Sequence, residues 1–148
     1  GVRGYNLKPL DLQGSVGSVQ LLKFDEIHSL RRSNKERIQK ALETIPGVRV
    51  VNERPEAETS WFGVPTVCED NKLKRSLVDY FEENKIQTRN YFAGNILLHP
   101  GYRDLGKASD YPNANQVLDK VFFLGCSPTI NEKMLQYIEK VIGNYVSN

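Results

Sequence analysis

Residues 4–21 read Gly4-Tyr5-Asn6-Leu7-Lys8-Pro9-Leu10-Asp11-Leu12-Gln13-Gly14-Ser15-Val16-Gly17-Ser18-Val19-Gln20-Leu21, a turn-prone polar start that runs into a helix carrying two glycines. Pro9 suits a first helical turn, and Leu12, Val16, Val19 and Leu22 recur at helical spacing, so a helix is predicted from about Pro9. Gly14 and Gly17 each cost that helix roughly 1 kcal/mol relative to alanine. Two readings follow. Either this is a core helix that happens to contain glycines, or its bare positions admit a close neighbour, which would be another backbone, a cofactor or a second subunit.

Outward from this stretch the chain alternates between elements. Ile27, Leu30, Ile38, Ala41, Leu42 and Ile45 make the apolar stripe of a second helix, stopped at Pro46-Gly47 and followed by a strand at Val48–Val51. Residues 53–59 are a polar connection. Ser60–Val67 reads as a strand in which Pro65, lacking a donor, predicts an edge or bulge position, and Trp61 and Phe62 should face opposite ways. Asp70 or Asn71 caps a helix bearing Leu73, Leu77, Tyr80 and Phe81, with Asn84 as a left-handed terminator. A strand is expected at Ile86–Tyr91, an irregular apolar segment at 92–102, a short helix from Pro112 and a strand at Val121–Gly125. Thr129 with Glu132 reads as the capping box of a closing helix carrying Met134, Ile138, Val141 and Tyr145. The expected fold class is α+β, a small, mainly antiparallel sheet with helices on one face. Residues 1–45 would form a helical interface segment and 46–148 the α+β core.

At 148 residues the chain is long enough to bury a core as one domain. A net charge of +2, with 26% charged residues and a mean hydropathy of −0.49, gives no electrostatic signature of a nucleic-acid partner. No stretch reads as a membrane span or a secretory leader, so the expected setting is the cytoplasm. The run Arg31, Arg32, Lys35, Arg37 and Lys40 is interleaved with Glu36 and Glu43 and reads as a solvated helix face, with His28 solvated beside it. Cys68 and Cys126 stand alone, without metal spacing, and are expected to be buried thiols.

No phosphate loop, HExxH or GxSxG is present. His99 sits in the irregular segment near Arg89, Asn95 and Tyr102, where loop packing and a functional role are both open.

The residues also carry a resemblance. Tyr5-Asn6-x-Lys8, Asp11-x-Gln13 and Gly17-x-x-Gln20-Leu21 resemble the stretch that opens the C-terminal part of the DegT/DnrJ/EryC1/StrS-type sugar aminotransferases, which are fold type I enzymes dependent on pyridoxal phosphate. Ser60-Trp61-Phe62-Gly63-x-Pro65, Thr88-Arg89-x-x-Phe92-Ala93-Gly94-Asn95 and Phe122-Phe123-Leu124-Gly125 are more similar to the nucleotide-sugar 3-dehydratases of that superfamily, of the type acting on CDP-4-keto-6-deoxyglucose. Typical aminotransferases carry a different loop at 95–100 and a proline at the position of Gly125, and His99 stands where both groups have glutamine.

The resemblance implies that this chain is the C-terminal domain of a longer enzyme whose large catalytic domain lies elsewhere. The parent would use pyridoxal 5'-phosphate or pyridoxamine 5'-phosphate to remove the 3-hydroxyl of a nucleotide-linked 4-keto-6-deoxy sugar, in a route to the deoxysugars of lipopolysaccharide. Catalytic residues would lie outside these 148, with histidine replacing the usual lysine in a dehydratase, and the chain alone would be inert. Asn6 would reach the cofactor phosphate across a homodimer, with Lys8 adding a point charge. Arg89 and Asn95 would frame the substrate, Tyr5 and Phe92 would wall it, and His99 would stand nearby. An iron-sulfur cluster held upstream and a reductase partner are further expectations of the parent. A pyridoxal-phosphate aminotransferase, or an interaction domain that kept the scaffold and lost catalysis, are the rival readings.

Overall fold

The computed structural model describes residues 9–147, so Tyr5, Asn6 and Lys8 lie outside the described residues. Helix α1 spans Asp11–Leu21, and a turn at Leu22-Lys23 leads into α2, Phe24–Leu42. Strand β1 is Val48–Val50, β2 is Gly63–Cys68, and α3 is Asn71–Glu83. Then come β3 (Thr88–Asn90), three short 3-10 turns at 96–98, 100–105 and 108–110, α4 (Pro112–Lys120), β4 (Val121–Gly125) and α5 (Glu132–Ser147). The strands form one antiparallel sheet in the order β1-β2-β4-β3.

Strand alternation sorts the sheet into two faces. Val64, Thr66 and Cys68 of β2 with Phe122 and Leu124 of β4 point to one side and are buried. There they meet Ile38 and Leu42 of α2, Leu77 and Phe81 of α3, and Leu135, Ile138, Val141 and Ile142 of α5 in a single core. Pro65 and Phe123, paired in register, point to the other side.

Pro65 corrects the expected edge position, because β2 is central, hydrogen-bonded to β1 and β4. The Pro65 carbonyl accepts from the Val51 N–H at 3.0 Å. In an extended residue the N–H and C=O point the same way, so the missing donor faces the end of β1, where little pairing is lost. Strands β2 and β3 are also shorter than expected, with Trp61 and Phe62 ahead of β2. Trp61 still packs on the helical core, and Phe62 lies on the opposite face against Phe123.

The helix ends depart from expectation by a residue or two. Asp70 caps α3, accepting from Leu73 N–H at 2.7 Å. At the other end Asn84 stays right-handed, and Lys85 takes the left-handed turn with φ 61°. Ile86 N–H reaches Phe81 C=O and Lys85 N–H reaches Glu82 C=O, the two bonds of a Schellman motif, so Lys85 is the left-handed residue. Helix α5 is capped by Asn131, whose Oδ1 accepts from Met134 N–H, and not by Thr129. Glu132 is drawn away to Arg37 and Gln136.

The basic run of α2 is largely not a solvated face. Arg32 makes a two-pronged pair with Glu53, Arg37 clamps Glu132 and Glu139 of α5, and Lys35 is buried with Nζ 4.7 Å from the Trp61 ring centroid. His28 is likewise tucked in, stacked on Phe24 and 3.3 Å from Glu58. The contacts of His28, Arg32 and Lys35 tie α2 to the 53–61 connection, which delivers Phe62 to the sheet, and those of Arg37 tie it to α5.

Candidate functional site

The sheet face opposite the helical core carries an exposed aromatic patch. Phe123 stands at its centre, with ring centroids of Phe62, Tyr91 and Phe92 at 5.6, 6.3 and 6.5 Å. Phe62 and Phe92 are 68% and 74% exposed, too open to be core residues. Two local features build the patch. Gly63 lets the Phe123 ring lie against bare backbone, since a β-carbon at 63 would overlap that ring. Phe92 has φ 54°, a left-handed conformation that costs a non-glycine residue about 1–2 kcal/mol. Strain in an exposed aromatic is a marker of function rather than of packing.

Arg89 pairs in register with Phe123 and therefore shares its face. Together with Phe62, Phe92, Arg31 and Ser127, these residues line an open cleft of about 620 Å³. Among the described residues no carboxylate lines it. Two guanidinium groups beside aromatic walls suit a ligand that is both anionic and flat, which is the chemistry of a phosphorylated ring compound.

The expected site residues divide accordingly. Arg89 and Phe92 are brought together in the cleft. Asn95 is 2% exposed, and its amide is bonded inside the protein: Nδ2 donates to Ala108 C=O and Asn115 Oδ1, and Oδ1 accepts from Leu97 N–H. It pins the 95–115 segment and does not face the cleft. His99 is exposed, with Nε2 3.4 Å from Ala93 C=O, and does not line the cleft.

Arg31, Phe62 and Phe123 are among the cleft residues that the sequence-based site assignment missed. Arg31 Nη1 donates to Trp61 C=O at 2.9 Å, while its Nε is buried without a partner among the described residues. The only sequence signal was that Arg31 and Arg32, about 100° apart on a helix, must point different ways. Nothing in the sequence says which of them meets the carboxylate.

Among the described residues no group of three or more His, Cys, Asp or Glu side chains could hold a metal ion, and no helix is long and apolar enough to cross a membrane. Cys68 and Cys126 are buried free thiols, each pushed up to about 11, first by burial.

Fold and cleft together describe a small α+β domain built to present one face of its sheet to a ligand or to another domain. The model of the DegT/DnrJ/EryC1/StrS aminotransferase family matches residues 1–142, and the chain belongs to that family. It is 34% identical over 148 residues to a dTDP-4-dehydro-2,6-dideoxy-D-glucose 3-dehydratase of Saccharopolyspora spinosa, covering 97% of this chain and 32% of the relative. It is 32% identical over 143 residues to the lipopolysaccharide biosynthesis protein RfbH of Salmonella typhimurium, covering 91% of this chain and 32% of that protein. Among solved structures, the Escherichia coli GDP-4-keto-6-deoxy-D-mannose-3-dehydratase with bound hydrated PLP superposes with a TM-score of 0.79 at 25% identity, over 95% of this chain and 37% of the other. S. venezuelae DesV gives 0.88 at 16% identity, over 99% and 39%, a likeness of fold. The chain thus spans about a third of the length of the curated relatives it matches.

Proposed function

We propose that this chain is the C-terminal domain of a nucleotide-sugar 3-dehydratase dependent on pyridoxal or pyridoxamine phosphate, acting in the cytoplasm on a 4-keto-6-deoxy sugar of deoxysugar or lipopolysaccharide biosynthesis. The observation that carries this reading is a convergence. Residues 60–65 and 88–95, the two longer stretches that resemble the dehydratases, lie apart in sequence and supply Phe62, Arg89 and Phe92 to the same cleft. Relatives named as 3-dehydratases agree with it.

The cofactor, when bound, supplies an electron sink for cleaving a bond near the sugar carbonyl. Asn6 would donate to its phosphate across a homodimer, an uncharged amide that adds no ion to be desolvated. Lys8 would add a point charge, and Tyr5 would help wall the substrate. On the described side, Arg89 holds an anionic group of the substrate and Phe92 covers a flat one. Asn95 positions the segment behind them without touching the substrate, and His99 stands at the outer margin. The homodimer accords with α1, whose Leu12, Val16 and Val19 are exposed. Elimination itself falls to residues outside this chain, and a reductase completes the deoxygenation. Any iron-sulfur cluster would rest on upstream cysteines, since Cys68 and Cys126 are buried as thiols.

The rival within the family is transamination, favoured by the match to the DegT/DnrJ/EryC1/StrS aminotransferase family. One experiment separates the readings. The full-length protein is loaded with the cofactor and given CDP-, dTDP- and GDP-4-keto-6-deoxyhexoses, and the product is weighed by mass spectrometry. Loss of the 3-hydroxyl supports the dehydratase; a 4-amino sugar overturns it in favour of transamination. Absence of cofactor absorbance and of turnover would leave an interaction domain.

A further inference from the structure

The three arginines of α2 at 31, 32 and 37 are treated differently by the fold. Arg32 and Arg37 are each paired with carboxylates, whereas Arg31 has none within salt-bridge distance among the described residues. Its guanidinium is nevertheless fixed, because Nη1 is tied to the Trp61 carbonyl, itself also the acceptor of the Cys126 thiol. Its Nε–H is buried without a partner among the described residues and is closed to the cleft, so it is the guanidinium's uncompensated charge, carried in the cleft wall, that is arranged for an anion arriving from outside.

The rest of the lining indicates what arrives. Arg89 is the second cation, and Glu82, which feels its charge, is already engaged by the Thr88 N–H and hydroxyl. The same cleft is lined by Phe62, Phe92 and Phe123, the first two with most of their surface open. A cleft of about 620 Å³ lies within the range of roughly 300–1,000 Å³ usual for small-molecule sites.

We infer that Arg31 is a second phosphate-binding residue that acts with Arg89, so that the cleft takes the nucleoside diphosphate part of the substrate, with the base stacked on Phe62 and Phe92. This rests on the nucleotide-sugar reading given above. It assigns a role to Arg31 and Phe62, and it makes the cleft the determinant of nucleotide affinity rather than of sugar chemistry. The faces of phenylalanine stack with any base, so the cleft selects for a base and a diphosphate together and discriminates weakly among bases.

The test is calorimetric titration of the full-length protein with GDP, dTDP and inorganic pyrophosphate, alongside KM and kcat for the nucleotide sugar. Arg31→Met is expected to weaken GDP, dTDP and pyrophosphate by about tenfold or more, the loss of a hydrogen bond to a charged group, and to raise KM while leaving kcat within about twofold. Arg31→Lys keeps a cation but lacks the planar fork that holds the Trp61 carbonyl and a phosphate oxygen at once, and is expected to show a smaller loss in a folded protein. Phe62→Ala is expected to weaken GDP and dTDP by about tenfold and leave pyrophosphate unchanged. Wild-type affinity in Arg31→Met overturns the inference. If turnover persists with KM insensitive to Arg31, the inference fails and the enzyme reading stands. If nucleoside diphosphates bind through Arg31 but no cofactor is taken up, the enzyme reading fails and the site stands.

Discussion

The ring of Phe123 lies against the bare α-carbon of Gly63. A β-carbon at 63 would overlap that ring and come within 2.9 Å of the Leu124 carbonyl oxygen, which is backbone of the adjacent strand and cannot swing aside. Gly63→Ala is therefore expected to destabilise the domain by roughly 1–3 kcal/mol, as overpacking does, and to displace Phe123. Urea unfolding reads the first effect and near-ultraviolet circular dichroism the second. Unchanged stability would mean that the ring has free room on the cleft side.

Phe92 pairs backbone strain with an exposed side chain, and the two can be separated by substitution. With φ at 54°, glycine fits position 92 and alanine does not, so Phe92→Gly should be more stable than Phe92→Ala by about 1–2 kcal/mol. Both should lose ligand affinity to the same extent, because both lose the ring. Comparing chemical denaturation midpoints of the two variants checks the first claim, and equal midpoints would place 92 in an ordinary conformation in solution.

What the sequence disclosed, and what it hid, follows from how local each signal is. The apolar spacing of Leu77 and Phe81 and of Ile138 and Val141 marked α3 and α5 correctly, because a helix face is written in neighbouring residues. Pro65 misled because a rule about donors was applied without knowing that β1 ends opposite it, a fact about residues 14 or more away. The stretches 60–65 and 88–95 stood out only through their resemblance to the dehydratases, since spacing alone read both as lying largely in strands. Their meeting across β4 was not legible, because β2 and β4 pair over a separation that no local pattern encodes. Asn95 was misjudged for a related reason: a polar residue in an irregular segment can serve the loop as readily as a ligand, and here Ala108 and Asn115 claim it.

The Arg32–Glu53 pair gives the connection at 53–59 a dependence on pH. Arg32, and then the Thr59 N–H, hold the Glu53 carboxyl down from its ordinary 4.5 to about 2. A carboxylate held low in the folded state contributes stability above its unfolded value and loses it as pH falls from about 4.5 towards 2. Both side chains keep a quarter to a third of their surface in water, so the contribution is screened by salt. Glu53→Gln should flatten the acid limb of the stability profile in that window and leave neutral-to-alkaline behaviour unaltered. Glu82 and Glu132, also held low by Thr88 and Arg37, keep their share of the slope.

Cys68 and Cys126 should be silent to thiol reagents while the domain is folded. Burial pushes both up to about 11, so little thiolate exists at pH 8, and both side chains are enclosed by the helical core. Ellman's reagent at pH 8 is expected to report both thiols together, at the rate of global unfolding and faster in denaturant. Rapid reaction of one thiol in the native protein would reveal local opening at its end of the sheet.

Helix α1 poses the opposite problem, since none of its residues is buried and nothing within 4 Å would meet a β-carbon at Gly14 or Gly17. The core-helix reading of its two glycines therefore finds no packing within the described residues, which leaves the reading of a close neighbour from outside them to be tested. In a chain free of that neighbour, Gly14→Ala and Gly17→Ala should each favour the helix by about 1 kcal/mol, because glycine is the poorer helix former and no clash opposes the methyl group. In the assembled parent the same methyl groups should weaken subunit association, because only bare positions allow backbones to approach closely. Amide exchange over residues 11–21 measures the first effect and sedimentation of the full-length protein the second. Added protection without any loss of association would mean that the glycines face solvent in the assembly too, and that the exposed Leu12, Val16 and Val19 alone make the contact.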